Sequence, residues 1–478
     1  MTQEDTDRVR TVFDNLERSA RLQVDSTAAL VGQVHRAAAK NDADRRKKDQ
    51  PPLRRKTNLR PINEWLPGPV RLSPWQALHL LARAVVLDDH GGGRGLAEHW
   101  ACLKYCQALQ TNSAEVLELS DEGDAVPKRH YKTAQSEELA RAFARRLGEH
   151  LVQQRYPDHA ISTIDADLVL RAGWINAAST RPVGLANCRK YFVEAWRPGE
   201  PSKVLLLIAY GTHSGGMVDA QLARAAAHAE FIHIGPYGQL PTLLVSTELS
   251  QTKGVTIHAV AAPGEARVGA LPAYCPADQN FFPDVLVPGD EESERMPGFQ
   301  LSPEDYDWFS AVLAHTDAAG LLALSGSVNE AGKYLTKCQG SDRFDRLVMP
   351  GASSVCDTDH QIHGHRFVGT DHVFRLHGVR LEVFSGLHHD LHRKLVDGPA
   401  NSAERVRAYR EAAFNGVTTD PPGHGTVAGA GQPTPPRTAR SLPFAYSPHR
   451  STVRPHIHPP PHAITQLPPS QEGYPPVR

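Results

Sequence analysis

KVLLLIAYGTHSGG, residues 203–216, is the stretch on which the fold turns. Six of its first seven residues are apolar, and Gly211, Gly215 and Gly216 then cluster around His213. A half-exposed strand alternates apolar with polar residues, whereas a short run this uniformly apolar predicts a strand covered on both faces. The loop after it should lead into a helix. Its glycines have two readings: they could let the first amides of that helix cradle an anion, or they could keep side chains out of a crowded strand-to-helix turn. The stretch lacks the lysine and hydroxyl of G-x-x-x-x-G-K-[ST], and it is neither G-x-G-x-x-G nor G-x-S-x-G. The turn reading is therefore preferred, with His213 as an exposed loop histidine.

Working outward, SEELARAFARRLGEHLVQQ (136–154) places Leu139, Phe143, Leu147 and Leu151 four apart and predicts an amphipathic helix. HAISTIDADLVL (159–170) and KYFVEAW (190–196) predict strands, QLARAAAHAEF (221–231) a helix, and TLLVSTEL (242–249) and VTIHAVAA (255–262) two more strands. The order helix, three strands, helix, strand, strand predicts an α/β (α+β) class with a mixed sheet flanked by helices.

The N-terminal region repeats Val9, Val12, Phe13, Leu16, Ala20, Val24, Leu30, Val31 and Val34 at three- and four-residue steps. One long amphipathic helix or two shorter ones over 6–39 follow, docked on the core or, alternatively, forming a homodimer interface. RRKKDQPPLRRKTNLR (45–60) then carries Arg45, Arg46, Lys47, Lys48, Arg54, Arg55, Lys56 and Arg60 against the single acid Asp49, with Pro51 and Pro52 ending any helix. This is a solvated linker or a phosphate-backbone contact. Ser73-Pro74-Trp75-Gln76 has the form of a capping box opening a helix to about Leu87. The loop DDHGGGRG (88–95) and a second helix over about Leu96 to Leu109 complete a pair that only loosely matches helix-turn-helix, because the loop is too long.

Residues 263–300 are rich in proline and acid and read as a surface excursion. A helix over 302–326 opens at Ser302 to Glu304, a hairpin over 372–386 turns at His377-Gly378, and a last helix spans 402–414. Beyond Thr419 the final 60 residues hold 15 of the 37 prolines, with Asp420 and Glu472 as their acids, and are expected to be disordered. The resulting division is 1–44 helical, 45–62 basic linker, 63–130 small helical domain, 131–262 α/β core, 263–418 α+β with a His-rich loop, and 419–478 Pro-rich tail.

A formal net charge of -1 excludes a whole-protein basic field, so nucleic-acid affinity would have to come from the 45–60 cluster. Six scattered cysteines without a C-x-x-C pair predict free thiols. No apolar run of about 18 residues is present and the first residues are charged, so no membrane partner and a cytoplasmic location are expected. The bias toward Ala, Arg, Gly, Pro and His resembles proteins of GC-rich bacterial genomes.

Residues 136–249 resemble the PD-(D/E)XK nuclease-like core, whose element order is helix, three strands, helix, strand. That resemblance implies a divalent metal held by acids on adjacent central strands, and a lysine two positions after the second acid that positions the attacking water. Pro157-Asp158 is the dipeptide itself but precedes the strand; Asp165 or Asp167 is better placed, and Glu194 matches the second acid. Trp196 stands where the lysine belongs, and Ala209-Tyr210 supplies neither acid nor lysine. The departure implies a scaffold or binding role, unless Lys203 or His213 substitutes. The candidate catalytic set is accordingly Asp167, Glu194 and His213.

CDTDHQIHGHRF offers Cys356, Asp357, Asp359, His360, His363 and His365, and GLHHDLHRKL adds His388, His389, Asp390 and His392. Imidazoles and carboxylates at such spacing can ligate zinc, with Asp359, His360, His363 and His365 as the set, though no H-E-x-x-H or zinc-finger spacing occurs. The expected function is a DNA-associated accessory or regulatory protein on a catalytically degenerate nuclease-like core. Its alternatives are a metal-dependent nuclease or hydrolase and a protein-interaction scaffold. No cofactor is required by the first; a divalent metal, magnesium or zinc, serves the second.

Overall fold

The computed structural model describes residues 3–419 and 451–457, apart from 64–65, 67, 89–99, 126–128, 173–187, 201, 231, 235–239, 251–253, 265–269, 272–298, 302–305, 346–355, 357 and 363–364. The helices that position the site are α1 (Gln3–Glu17), α2 (Ala28–Arg46), α3 (Pro74–Val85), α4 (Arg129–Arg155), α5 (Ala166–Arg171), α6 (Val218–Glu230), α7 (Tyr306–Leu324), α8 (His389–Val396) and α9 (Ser402–Thr419). The main sheet is built from β1 (Gln23–Asp25), β2 (Ala160–Asp165), β3 (Arg189–Trp196), β4 (Ser202–Thr212), β5 (Thr242–Glu248) and β6 (Thr256–Ala262). A second sheet holds β7 (Thr358–Ile362), β8 (His365–Leu376), β9 (Val379–His388) and β10 (Ser451–Ile457).

Strand order in the main sheet is β1-β6-β5-β4-β3-β2, and Ala270–Leu271 also pairs with β4. β2, β3 and β4 run antiparallel in turn, β5 returns parallel to β4 after the α6 crossover, and β6 is antiparallel to β5. This mixed sheet between helical layers is an α/β fold, as its order of elements predicts. β4 is apolar because both its faces are covered. Leu207 and Ala209 pack with Tyr191, Val193 and Val245 under Leu139, Phe143 and Leu147 of α4. Leu206 and Ile208 pack with Phe192 and Leu244 under Leu222 of α6 and Phe309 of α7. Each such side chain, taken fully out of water, contributes about 1.5–3 kcal/mol, and the register follows from that alternation.

The N-terminal periodicity resolves into two helices on different layers. Val9, Phe13 and Leu16 of α1 are buried against the α4 side of the sheet, while Leu30 and Val34 of α2 belong to the opposite core. Between them Thr27 caps α2 through the Leu30 amide, and β1 joins β6 at the sheet edge. The apolar stripe of α1, read as a dimer face, is spent inside the chain. Ser73 caps α3 in a complete capping box with Gln76, with Pro74 in the first turn.

The helix expected over Leu96 to Leu109 ends earlier than read: Trp100 and Ala101 are helical, Cys102–Tyr105 is a short 3-10 turn, and Leu109–Thr111 pairs with Leu117–Leu119 as a hairpin; residues 89–99 lie outside the described residues. The strand expected over 159–170 stops at Asp165, whose carboxylate accepts the Leu168 amide and starts α5. The β8–β9 hairpin turns at His377 and Gly378, at φ 48° and 77°, as a two-residue turn with both centres left-handed requires. The predicted excursion over 263–300 and the cap at Ser302 to Glu304 fall mostly outside the described residues, as does most of the tail, where Ser451–Ile457 adds to the edge of β9.

Candidate functional site

The glycine loop after β4 is shaped by packing. A Cβ on Gly211 would overlap the Ser136 carbonyl of α4, so only glycine allows the end of β4 this close to the helix. A Cβ on Gly215 would stand 3.0 Å from both carboxylate oxygens of Glu248, at the end of the neighbouring β5. That carboxylate already lies beside the loop. It meets Nε2 of His258 at 3.3 Å, and Nδ1 of His258 meets Asp25 of β1 at 2.9 Å. His213 is half-buried where exposure was expected; desolvation, then Lys132, lowers its pKa, and its Nε2 is buried without a partner.

The predicted trio of Asp167, Glu194 and His213 does not converge. Asp167, in the first turn of α5, takes the Lys190 ammonium at 2.5 and 2.7 Å. Glu194 lies four residues from Lys190 on β3, about 13 Å along an extended strand. Its carboxylate is wholly buried and accepts two bonds from the Arg410 guanidinium of α9, at 3.1 and 2.7 Å, and one from the Ser202 hydroxyl at 2.7 Å. Trp196, at the lysine position, lies under that guanidinium at 4.6 Å. Charge, hydrogen bonds and ring face are thus all committed to one internal contact, and Glu194 has no open side for a metal or water.

The second proposed ligand set is similarly dispersed. Asp359 and His360 are successive residues of β7 and project to opposite faces; Asp359 pairs with Arg366 at 2.6 Å, and His360 Nε2 meets Asp371 at 3.3 Å. His365 lies against His388, and His363 is outside the described residues. Among the described residues no three His, Cys, Asp or Glu side chains are gathered around a common point. The two His-rich stretches meet at that His365–His388 contact and again where Nε2 of His392 is 3.6 Å from Cys356 Sγ, the same nitrogen lying 2.7 Å from Ser327 Oγ. Burial there lowers the His392 pKa.

The eight cations of 45–60 divide into two groups. Arg45 is buried, its Nε donating to Pro51 O; Lys56 is buried; and Arg55 bonds Asp42 at 2.6 Å and Asn41 at 2.9 Å. This stretch is docked chain and not a free linker. Arg46, Lys47, Lys48, Arg54 and Arg60 are exposed, as are Arg36 and Lys40 on α2. Of these seven, Lys47 has an ion-pair partner, Asp44, among the described residues.

What sequence reading missed is a small cavity with mixed polar and apolar walls beside the edge strand β2. Its walls come from α3 and the turn after it (Arg83, Asp88), α4 (Arg145), β2 and β3 (Asp165, Tyr191) and α7 (Asp317). Its interior volume of about 30 Å³ holds one or two waters. Asp165 and Tyr191 are register partners on adjacent strands, so their side chains stand side by side on the α4 face. Desolvation, then Asp167 and Asp88, push the Asp165 carboxyl up to about 7, and burial raises the Tyr191 phenol to about 12. Asp88 is held by Arg141 at 2.8 Å and Arg189 at 3.6 Å. Arg145 bonds the Thr163 carbonyl at 2.9 Å, covering the edge of β2, and burial with the nearby Arg83 lowers its pKa. Asp317 meets Arg83 at 3.6 Å and the Ser162 hydroxyl at 2.8 Å. The one local signal was Asp165 itself, the acid that ends an apolar strand three residues before Leu168.

Comparison with protein-family models, with curated proteins and with solved structures gave no match.

Proposed function

We propose that this chain is a DNA-associated accessory protein whose core follows the nuclease-like order without cutting as that family does. The observation that carries this reading is the cationic surface of α2 and the segment after it. Arg36, Lys40, Arg46, Lys47, Lys48, Arg54 and Arg60 are exposed there, against Asp44 and Asp49 as the exposed acids of residues 36–60. An ordered helix and a docked strap holding such charges suit a phosphate backbone, because each neutralised phosphate releases condensed counterions without the cost of ordering a free tail.

Two further points support it. α4, β2, β3, β4, α6 and β5 follow in the order of the nuclease-like core, with two antiparallel pairings and then a parallel one. The acids that a metal-dependent nuclease would need on this core, Asp167 and Glu194, are already engaged by Lys190 and Arg410. The test is fluorescence anisotropy with a labelled duplex at low salt. Wild type should bind without cleaving in magnesium or manganese, and a Lys47→Gln, Lys48→Gln, Arg54→Gln variant should bind at least tenfold more weakly. Absence of low-salt binding would remove the proposal; cleavage abolished by Asp167→Asn would replace it with the nuclease reading.

A further inference from the structure

Position along α2 separates the exposed cations into two kinds. At 3.6 residues per turn, Gln33, Arg36 and Lys40 lie on successive turns within about 60° of one another. All three are exposed, and among the described residues none is held by a hydrogen bond or ion pair. Ala29, Ala39 and Ala43 stand exposed beside them on the same flank. Arg46, Lys47 and Lys48 lie instead at the C-terminal end of the helix, and Arg54 and Arg60 in the docked segment that follows. The flank points outward because Leu30 and Val34, on the other side of α2, belong to the core shared with Leu222 of α6 and Val260 of β6.

Charge and shape narrow what can cover this flank. A second copy docked there about a two-fold axis would set Arg36 and Lys40 against their own counterparts, which is repulsive. An anionic occupant is complementary. A helix fully clad in side chains is about 10–12 Å across, and alanines make this flank slimmer, so it fits a DNA major groove about 12 Å wide and 8.5 Å deep. The residue types match the groove floor: Arg and Lys reach guanine O6 and N7, Gln reaches adenine N6 and N7, and alanine packs on a thymine methyl. The spacing matches as well. From Gln33 to Lys40 the helix rises about 10.5 Å, or about three base-pair steps of 3.4 Å.

We propose that the outer flank of α2 enters the major groove of B-form DNA, where Gln33, Arg36 and Lys40 read one adenine and two guanines within about three to four base pairs. This rests on the DNA reading and adds to it a groove and a sequence preference. Arg46, Lys47, Lys48, Arg54 and Arg60 are left for the phosphates, whose contacts position the helix without reading sequence. Duplex RNA is excluded, because its deep, narrow major groove does not admit side chains in this way.

The experiment is selection of duplexes from a randomised pool by the full chain, followed by dimethyl sulfate probing, which methylates guanine N7 in the major groove. The selected duplexes should share a short element with two guanines whose N7 atoms are protected, and replacing either guanine by adenine should weaken binding about tenfold. Arg36→Ala should fold normally, since alanine is the better helix former at an exposed position. It should lose the preference and the protection at one guanine while still binding unselected duplex. The Lys47→Gln, Lys48→Gln, Arg54→Gln variant should instead weaken binding to all sequences alike. Binding without sequence preference, guanine N7 left reactive throughout, an unchanged preference in Arg36→Ala, or equal affinity for an RNA duplex of the same sequence would overturn the groove assignment and leave the DNA association standing. Absence of binding to any duplex at low salt would overturn both.

Discussion

Replacing Arg410 with methionine tests whether Glu194 is a structural acid. The guanidinium reaches the carboxylate from α9 with both nitrogens, at 3.1 and 2.7 Å, and the side chains are 5 % and 0 % exposed. Without Arg410 the carboxylate keeps only the Ser202 hydroxyl in a site closed to water. Breaking one side of a buried pair costs about 3–5 kcal/mol, because the remaining charge is stranded. Arg410→Met should therefore destabilise the fold by that amount, as should Glu194→Gln. The double variant, which presents an amide to a thioether, should cost less than the sum of the two by at least about 2 kcal/mol, in the range expected of residues in direct contact. Urea unfolding followed by tryptophan fluorescence reads this well, since Trp196 lies under the guanidinium. A cost below about 1 kcal/mol for Arg410→Met, or strict additivity, would refute the reasoning and return Glu194 to the candidates for metal binding.

The pH dependence of folding carries a second test. The Asp165 carboxyl has its pKa raised from 3.8 to about 7, so the folded chain retains there a proton that the unfolded chain has released. The stability linked to that proton is complete below pH 3.8 and is lost as pH rises through about 7. Asp165→Asn should flatten the stability curve over this window and gain on wild type above it; parallel curves would place the titration elsewhere. Ser73→Ala should cost about 0.5–2 kcal/mol in denaturant unfolding through loss of the α3 cap, and no change would mean the box is ornamental. Gly211→Ala should destabilise by about 1–3 kcal/mol as its methyl group forces β4 away from Ser136, whereas a neutral outcome would reopen the loop to the anion-cradle reading.

The central strands were legible because their pattern is local. KYFVEAW and KVLLLIAYG announce burial within a few residues, and the structure starts and ends β3 and β4 within one residue of those runs. Boundaries failed where a polar group intervenes by capping: Asp165 turns an apolar continuation, ADLVLR, into α5. The candidate site was opaque for a different reason. Glu194 is silenced by a partner 216 positions away, and Ser162 meets Asp317 across 155 positions. No window of sequence couples such residues, so an acid on a strand reads the same whether it is free or already paired. The basic run misled in a similar way. Its cations look equivalent in sequence, but Arg45, Arg55 and Lys56 turn inward to hold the segment down, which leaves the exposed remainder in a fixed arrangement.

That fixed arrangement makes the salt dependence of duplex binding the most direct measurement. If five exposed cations each neutralise one phosphate, the logarithm of affinity should fall with the logarithm of salt at a slope of about −4.5, or about 500-fold between 50 and 200 mM. Removing Lys47, Lys48 and Arg54 should bring the slope to about −2. A wild-type slope near zero, or one unchanged in that variant, would contradict the account.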